Sequence, residues 1–537
     1  MIDNPIVITS INLLLFFTLT LLLVFSLIKK DTHLFYIIIV IIPLFFGFFA
    51  LSYLPVDIAL LNGSETVNDI FMLSNLWLVT YWTTFIFSWI ILPLLSEFYL
   101  SGSLTFCGKI YDSIKYNLKF YGIIIGFLIL GIILITITTN IKFYSFSSTI
   151  ISIGNTFGLT IIVFLMSYGL VEFPKFIWNI GDYNNKLRKL AFIFDHIEQN
   201  YLEAQNDIRS MKIIISGFIR NTDNNIKSRV EYLLEKINKL EIPDGATSII
   251  QPEHHNHFEL VNKKAKIYID NYELSKLKYI DAIKKYNKYI SRKDTIFCVP
   301  VKYIFRILGF LTYCQTILTL FCELSITINY LGINISPYSI VLEKSNNTFA
   351  RYIFCIITFW YLAIVTYYPL FKSKLYNIFS KIFSLPEIYF NRSTSIIMLI
   401  TIAIFMCRLQ FPLSFNYIAM TQYDKLVPQI NTIITNSTIN NNSSILINTN
   451  TNINLIEIQQ TTGFMNTLGT NMELDSIDAF LPILLIIMTF ITYFKLVDKL
   501  LICFKIDFAG DPIANNLDHE QKIRENIELL KRVRLNV

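Results

Sequence analysis

Nine stretches of roughly 20 or more mainly apolar residues dominate the chain. They span 6–28, 34–54, 77–97, 118–139, 149–173, 302–331, 349–371, 395–420 and 480–504. About 20 such residues is what one α-helix needs to cross a hydrocarbon core about 30 Å thick. The composition agrees. Of 537 residues, 53% are hydrophobic and only 16% charged, with a mean hydropathy of +0.51, against about 45–50% and about 25% in soluble domains. An ordinary soluble enzyme of this composition could not hide its apolar surface, and a disordered chain lacks such apolar content. The expected fold is all-α: a polytopic membrane protein of nine transmembrane helices, its solvent the lipid bilayer.

Basic residues assign the two sides. Segments 29–33, 97–117, 174–301, 372–394 and 505–537 hold 35 of the 45 Lys and Arg. The alternate segments 1–5, 55–76, 140–148, 332–348 and 421–479 hold 3. Short loops rich in Lys and Arg stay in the cytosol, so the N-terminus is expected outside or lumenal and the C-terminus inside, in a plasma or endolysosomal membrane. The first span is not expected to be a cleaved signal, because Asp3 precedes it and no basic residue does. The organisation that follows is helices one to five over 1–173 and a cytosolic helical loop over 174–301. Helices six to eight follow over 302–420, then an outward Asn-rich loop over 421–479, helix nine over 480–504 and a short cytosolic tail over 505–537.

The 174–301 loop carries a second periodicity. Leu187, Leu190, Phe194, Ile197, Tyr201, Ala204, Ile208, Met211, Ile215 and Phe218 recur at alternating spacings of three and four, the mark of a coiled-coil seam. A weaker run follows at Val261, Ala265, Tyr268, Tyr272, Ser275, Tyr279, Ala282, Tyr286 and Tyr289, and a shorter one at Ile226, Val230, Leu233, Ile237 and Leu240. Two long helices that leave span five and return to span six are expected to form an antiparallel coiled-coil hairpin. The other reading is two amphipathic helices lying on the membrane. The loop's 21 basic and 16 acidic residues give no nucleic-acid signal; anionic lipid contact is the milder option.

No phosphate-cradling loop, HExxH helix, CxxC pair or nucleophile elbow occurs, and no cofactor or metal is implied. His254, His255 and His257 are the one cluster of metal-ligand type, and a solvated polar turn is the ordinary reading of it. The seven cysteines fall in spans (Cys314, Cys322, Cys355, Cys407) or at the cytosolic boundary (Cys107, Cys298, Cys503), so no outward disulfide framework is available. The boundary thiols are candidates for palmitoylation, with reduced, inert thiols the plainer reading. Glycosylation sequons face outward at Asn62, Asn346, Asn436, Asn441 and Asn442; the one at Asn334 is weakened by Pro337, and Asn391 lies on the cytosolic side.

Ionisable residues within spans are costly and therefore informative. Arg408 sits near the middle of span eight, Glu323 in the outer half of span six, and Glu172 at the cytosolic end of span five. Depth counted at about 1.5 Å per residue favours an ion pair of Arg408 with Glu323 first and Glu172 second; a site for substrate or ion passage is the alternative. Gly122, Gly126 and Gly131, and Gly154 with Gly158, suggest close helix packing. Pro93, Pro174 and Pro412 are expected to kink or end their helices.

Three blocks then carry a resemblance. The first is Tyr81-Trp82-Thr83 through Trp89-Ile90-Ile91-Leu92-Pro93, with Ser101-Gly102 and Gly108-Lys109-Ile110. The second is Asn155-Thr156-x-Gly158-Leu159 and Tyr168-Gly169-Leu170-Val171-Glu172-x-Pro174, with Trp178-Asn179. The third is Cys407-Arg408-Leu409-x-x-Pro412-Leu413 with Asn416. In this order they resemble the LIMR family of multi-pass proteins (limb-region protein and lipocalin-interacting membrane receptor), within it the LMBR1 domain-containing protein 2 branch. The resemblance implies nine helices with a large cytosolic loop between five and six. It also implies a non-enzymatic receptor or adaptor role in trafficking and G-protein-coupled receptor signalling, with a membrane receptor or trafficking protein as partner of the hairpin. It brings no catalytic residues. The alternative is a transporter, or transport accessory, for a small or lipophilic ligand.

Overall fold

The computed structural model describes residues 5–29, 32–60, 67–138, 146–219, 224–240, 258–293, 298–330, 335–345, 347–372, 394–421, 475–496 and 517–536. Every element named among them is helical. The chain divides into two units. One comprises Met1–Pro93, Gly126–Lys175 and Leu311–Val497; the other comprises Leu94–Ile125, Phe176–Phe310 and Asp498–Val537.

The apolar unit is built from α1 (Pro5–Leu27), α2 (Leu34–Leu60), α3 (Val67–Ile86), a π-helical turn (Phe87–Ile91), most of α6 (Phe146–Trp178) and the later part of α10 (Cys298–Tyr330). It is completed by α11 (Pro337–Lys344), α12 (Thr348–Lys372), α13 (Ile396–Thr421) and α14 (Asp475–Tyr493). Its central helix is α13, with 18 of 26 residues buried. A helix apolar on every side belongs inside, and α13 packs against α2, α3, the π-helical turn and α11. Large apolar side chains such as Leu14, Leu22, Ile317 and Ile357 remain exposed, the surface expected of helices solvated by lipid.

Seven described helices are long and apolar enough to cross a membrane. The fourth expected span falls on α5 (Phe106–Thr138) and the ninth on α14; neither is among the seven. Within the ninth, α14 ends at Tyr493 and Lys495 takes a left-handed conformation, φ 52°, which stops helices; residues 497–504 lie outside the described residues.

The small-residue positions in spans four and five are only partly used. A methyl at Gly158 would run into the Pro412 ring, so α6 and α13 meet there at backbone distance. Gly122, Gly126 and Gly154 have no such neighbour among the described residues.

In the charged unit, α7 (Tyr183–Ile219) lies along α9 (Phe258–Lys293), with α8 (Asn224–Asn238) against α7. Ala204, Ile208, Met211 and Ile215 share one cluster with Val230, Leu233 and Ile237 of α8 and with Val261, Ala265, Ile269 and Tyr272 of α9. Leu190 and Phe194 share a second with Ala282, Ile283 and Tyr286. Leu187, Ile197 and Tyr201 are partly buried against these clusters; the side chain of Phe218 lies outside the described residues. Tyr201 and Phe194 stack on Tyr279 at ring distances of 5.1 and 5.7 Å. Ile269 and Ile283, absent from the weaker seam, are buried on α9.

The 505–537 segment is more than a tail. It carries α15 (Leu517–Asn536), which packs on α7 and α9. Leu530 is fully buried, and Asn526 Nδ2 donates to the Ala191 carbonyl at 2.9 Å.

Candidate functional site

Two of the charged groups within the apolar unit, Arg408 and Glu323, make their contacts through α13. Arg408 donates from Nη2 to the Ser88 carbonyl oxygen at 2.9 Å, and its guanidinium lies 4.1 Å from the Trp89 ring centroid. The local reason is legible atom by atom. In the π-helical turn each N–H reaches back five residues, and Leu92 N–H accordingly donates to the Phe87 carbonyl. The next donor in that register is residue 93, for the Ser88 carbonyl. Residue 93 is proline and has no N–H. Arg408 provides the missing donor, and Trp89, one residue on, provides a ring face for the cation.

Glu323, 1% exposed, takes a different partner: Asn416 Nδ2 donates to its Oε1 at 2.7 Å. Glu172 accepts from Lys175 Nζ at 2.9 Å along the same helix. The ion pairing of Arg408 with Glu323 or Glu172 expected from depth is therefore replaced by a carbonyl and a ring for the cation, an amide for one carboxylate and a lysine for the other. Depth places two groups at one level of a bundle and leaves their directions around the helix axes open.

Glu323 and Asn416 also line a small cavity among α6, α10, α13 and α14, about 40 Å³ in volume. The rest of its lining is apolar, with Leu159, Ile162, Phe415 and Leu485 among it. Such a volume is room for a water molecule or two, far below the roughly 300–1,000 Å³ of a small-molecule site.

Sequence reasoning missed a third buried group. Asp57, expected in an outward loop, lies inside α2, 2% exposed, and accepts a hydrogen bond from Trp77 Nε1 at 2.9 Å. Its signal was the apolar run continuing past residue 54 to Leu60 despite Pro55.

In the charged unit the Ser101-Gly102 block forms a docking corner. Ser101 and Ser103 hydroxyls donate to Asp112 Oδ2, each at 2.7 Å, and hold that carboxyl below its usual range. Asn262 Nδ2 donates to the Gly102 carbonyl at 2.8 Å, and Lys266 Nζ to the Ser101 carbonyl at 2.6 Å. A side chain at Gly102 would collide with the Glu259 carbonyl, which explains the glycine. Burial, then the cations of Lys109, Arg229 and Lys236, lowers the Lys266 ammonium to about 8.

The sequons at Asn62, Asn346, Asn436, Asn441 and Asn442, and His254, His255 and His257, lie outside the described residues. Among the described residues no group of three His, Cys, Asp or Glu could hold a metal ion.

The three blocks singled out in the sequence thus supply much of this architecture, and comparison with known proteins agrees with them. The family model described as LMBR1-like membrane protein matches residues 5–497. A Caenorhabditis briggsae protein named G-protein coupled receptor-associated protein LMBRD2 is 26% identical over 407 residues, 68% of this chain and 62% of its own. The Dictyostelium discoideum LMBR1 domain-containing protein 2 homolog A is 24% identical over 383 residues, 63% of this chain and 50% of its own. The human protein named G-protein coupled receptor-associated protein LMBRD2 is 31% identical over 146 residues, 25% of this chain and 21% of its own. The chain spans less than two thirds of the length of these relatives. No solved structure matches it.

Proposed function

This chain belongs to the LMBR1-like family of integral membrane proteins, and from that premise we propose that it is a non-enzymatic, receptor-associated adaptor. In this reading nine helices cross the bilayer, with the N-terminus outside and residues 174–301 and 505–537 in the cytosol. The α7–α9 pair is an antiparallel coiled-coil hairpin whose apolar stripes are consumed internally. Its charged outer face then meets a membrane receptor, of the G-protein-coupled class, or a protein of its trafficking route. The observation that carries the reading is the naming of relatives as receptor-associated proteins. The exposed Lys284 and Lys288 on α9 give such a partner a surface that the internal packing leaves unused.

The test leaves the core alone. Lys284→Glu with Lys288→Glu is expected to keep folded yield and surface delivery while recovery of a co-expressed G-protein-coupled receptor with the chain falls at least severalfold. Undiminished recovery across a panel of such receptors rejects this face as the docking surface. Protease protection on sealed vesicles tests the topology: tags at the two ends must lie on opposite sides.

A further inference from the structure

The Ser101-Gly102 corner gathers more positive charge than its packing explains. Leu104 of that turn packs against the apolar cluster that joins α8 to α9, so the start of α5 and both of these helices meet there. Each brings cations. Lys109 comes from the first turn of α5, Arg229 and Lys236 from positions about two turns apart on α8, and Lys266 from α9. Lys109, Arg229 and Lys236 all lie close enough to act on the Lys266 ammonium, and Arg229 acts on Lys109.

Counter-charge is short. Among the described residues none of these four cations is in an ion pair. Asp112 is spent on the Ser101 and Ser103 hydroxyls and on the charges of Lys263 and Lys115. Asp270 acts on Lys266 from its own helix. Lys266 has an architectural task, donating to the Ser101 carbonyl. Lys109 and Arg229 only rest against the rings of Phe98 and Tyr232, and Lys236 is exposed. Like charges held together without counter-ions oppose folding, and a bound anion removes that repulsion. The first turn of α5 adds partial positive charge of its own.

The surroundings select what carries the anion. Phe106, Ile110 and Ile114 recur at steps of four along α5 and are exposed, an apolar ridge beside Lys109. Water is a poor neighbour for such a ridge, and the boundary between head groups and acyl chains is a good one. In the topology proposed above, this corner joins spans three and four at the cytosolic surface; the inference rests on that reading for its side of the membrane. A phosphomonoester carries about −1.5 to −2 charge and so matches a knot of cations better than the single charge of a diester.

We propose that this corner binds the head group of an anionic lipid bearing a phosphomonoester, as phosphorylated inositol lipids do. Lys109, Arg229 and Lys236 hold the phosphate, and the acyl chains follow the Phe106–Ile114 ridge into the bilayer. Lys266 positions the turn and adds its charge.

The full chain, delipidated in maltoside detergent, is titrated with short-chain phosphatidylinositol monophosphate, and binding is read by native mass spectrometry. Saturable binding is expected. Arg229→Gln with Lys236→Gln should weaken it about tenfold. Lys531→Gln with Arg532→Gln, an equal loss of charge from exposed positions on α15, should leave it within about twofold. Arg229→Lys with Lys236→Arg keeps the charge and should keep most of the binding. Should the Gln pair melt early, Lys236→Gln alone takes its place, with about a threefold loss expected. Short-chain phosphatidylserine and soluble inositol bisphosphate should each bind about tenfold more weakly than the lipid monophosphate. Detergent exposes both sides of the chain, so these results stand apart from topology, which protease protection reports. Equal binding of phosphatidylserine overturns the phosphomonoester, and equal binding of soluble inositol bisphosphate overturns the lipid source. Absence of saturable binding, or equal losses in the two Gln pairs, overturns the site itself.

Discussion

The charged unit and the apolar unit are made of the same element and held together by opposite means. In the charged unit each helix has one apolar stripe, so burial of that stripe chooses the partner: Ile208 and Met211 of α7 find Val261 and Ala265 of α9. Its polar groups mostly stay in water or make short local bonds, as Lys239 does with Glu235 and Lys285 with Asp281. In the apolar unit the helices are greasy on most sides and lipid is as good a neighbour as another Leu, so burial chooses little. Specific groups decide instead: Arg408 on the Ser88 carbonyl, Asn416 on Glu323, Trp77 on Asp57, Gly158 against Pro412. Periodicity orders one unit, and a handful of hydrogen bonds and close approaches orders the other.

The largest effect that would break this contrast is a charge in the seam. Ile208 is fully buried, and Ile208→Ala should cost about 2–5 kcal/mol from lost packing. Ile208→Asp adds an unpaired carboxylate in the same place and should cost more. Limited proteolysis is expected to open 183–293 in the Asp variant while the apolar unit stays protected. Equal protection of both units in Ile208→Asp would mean that the stripe does not hold α7 to α9.

How far the sequence could be read follows the same division. The Leu187-to-Ile215 stripe was visible because its alternating spacing has a direct spatial meaning, and the helices of the apolar unit were visible because their length does. Partners in the apolar unit were not. Arg408 and Glu323 were matched by depth, but composition does not reveal a backbone carbonyl left without its donor by Pro93. Pro93 was read as a kink, and the missing N–H mattered more than the bend. The helix at Leu517–Asn536 escaped notice because Ile523, Asn526 and Leu530 are few and strongly charged residues surround them. The nine-helix count rests on residues 118–139 and 480–504, where hydropathy sees a length and not a backbone break such as the one at Lys495.

An intermediate effect sharpens the comparison on the apolar side. Arg408→Leu leaves the Ser88 carbonyl buried without that donor and should cost about 1–3 kcal/mol. Because Glu323 has Asn416, the double change Arg408→Leu with Glu323→Leu should show additive losses rather than rescue. Rescue is expected from an unusual place: Pro93→Ala restores an N–H at the position whose π-register acceptor is Ser88. In a double-mutant cycle read by thermal unfolding in detergent, Pro93→Ala should recover part of the Arg408→Leu loss. A strong favourable coupling of Arg408 to Glu323, with none to Pro93, would restore the ion-pair account.

The smallest effect concerns pH and belongs to the charged unit alone. Lys266 is lowered to about 8 by burial and by Lys109, Arg229 and Lys236, whereas an unfolded lysine titrates near 10.4. Between those values the folded chain binds fewer protons than the unfolded one, so stability rises with pH across that window. Lys109 and Lys186 are lowered too and push the same way. Tyr279 and Tyr289, raised by burial, hold their protons longer when folded, so they act the opposite way and lower stability as pH rises past about 10. The unfolding transition of the charged unit, followed by proteolysis, should therefore move upward from pH 7.5 to 9.5. Lys266→Met removes the largest of these contributions and should shrink that shift. An undiminished shift in Lys266→Met would assign it to the other lysines and remove the Ser101 corner from the account of stability.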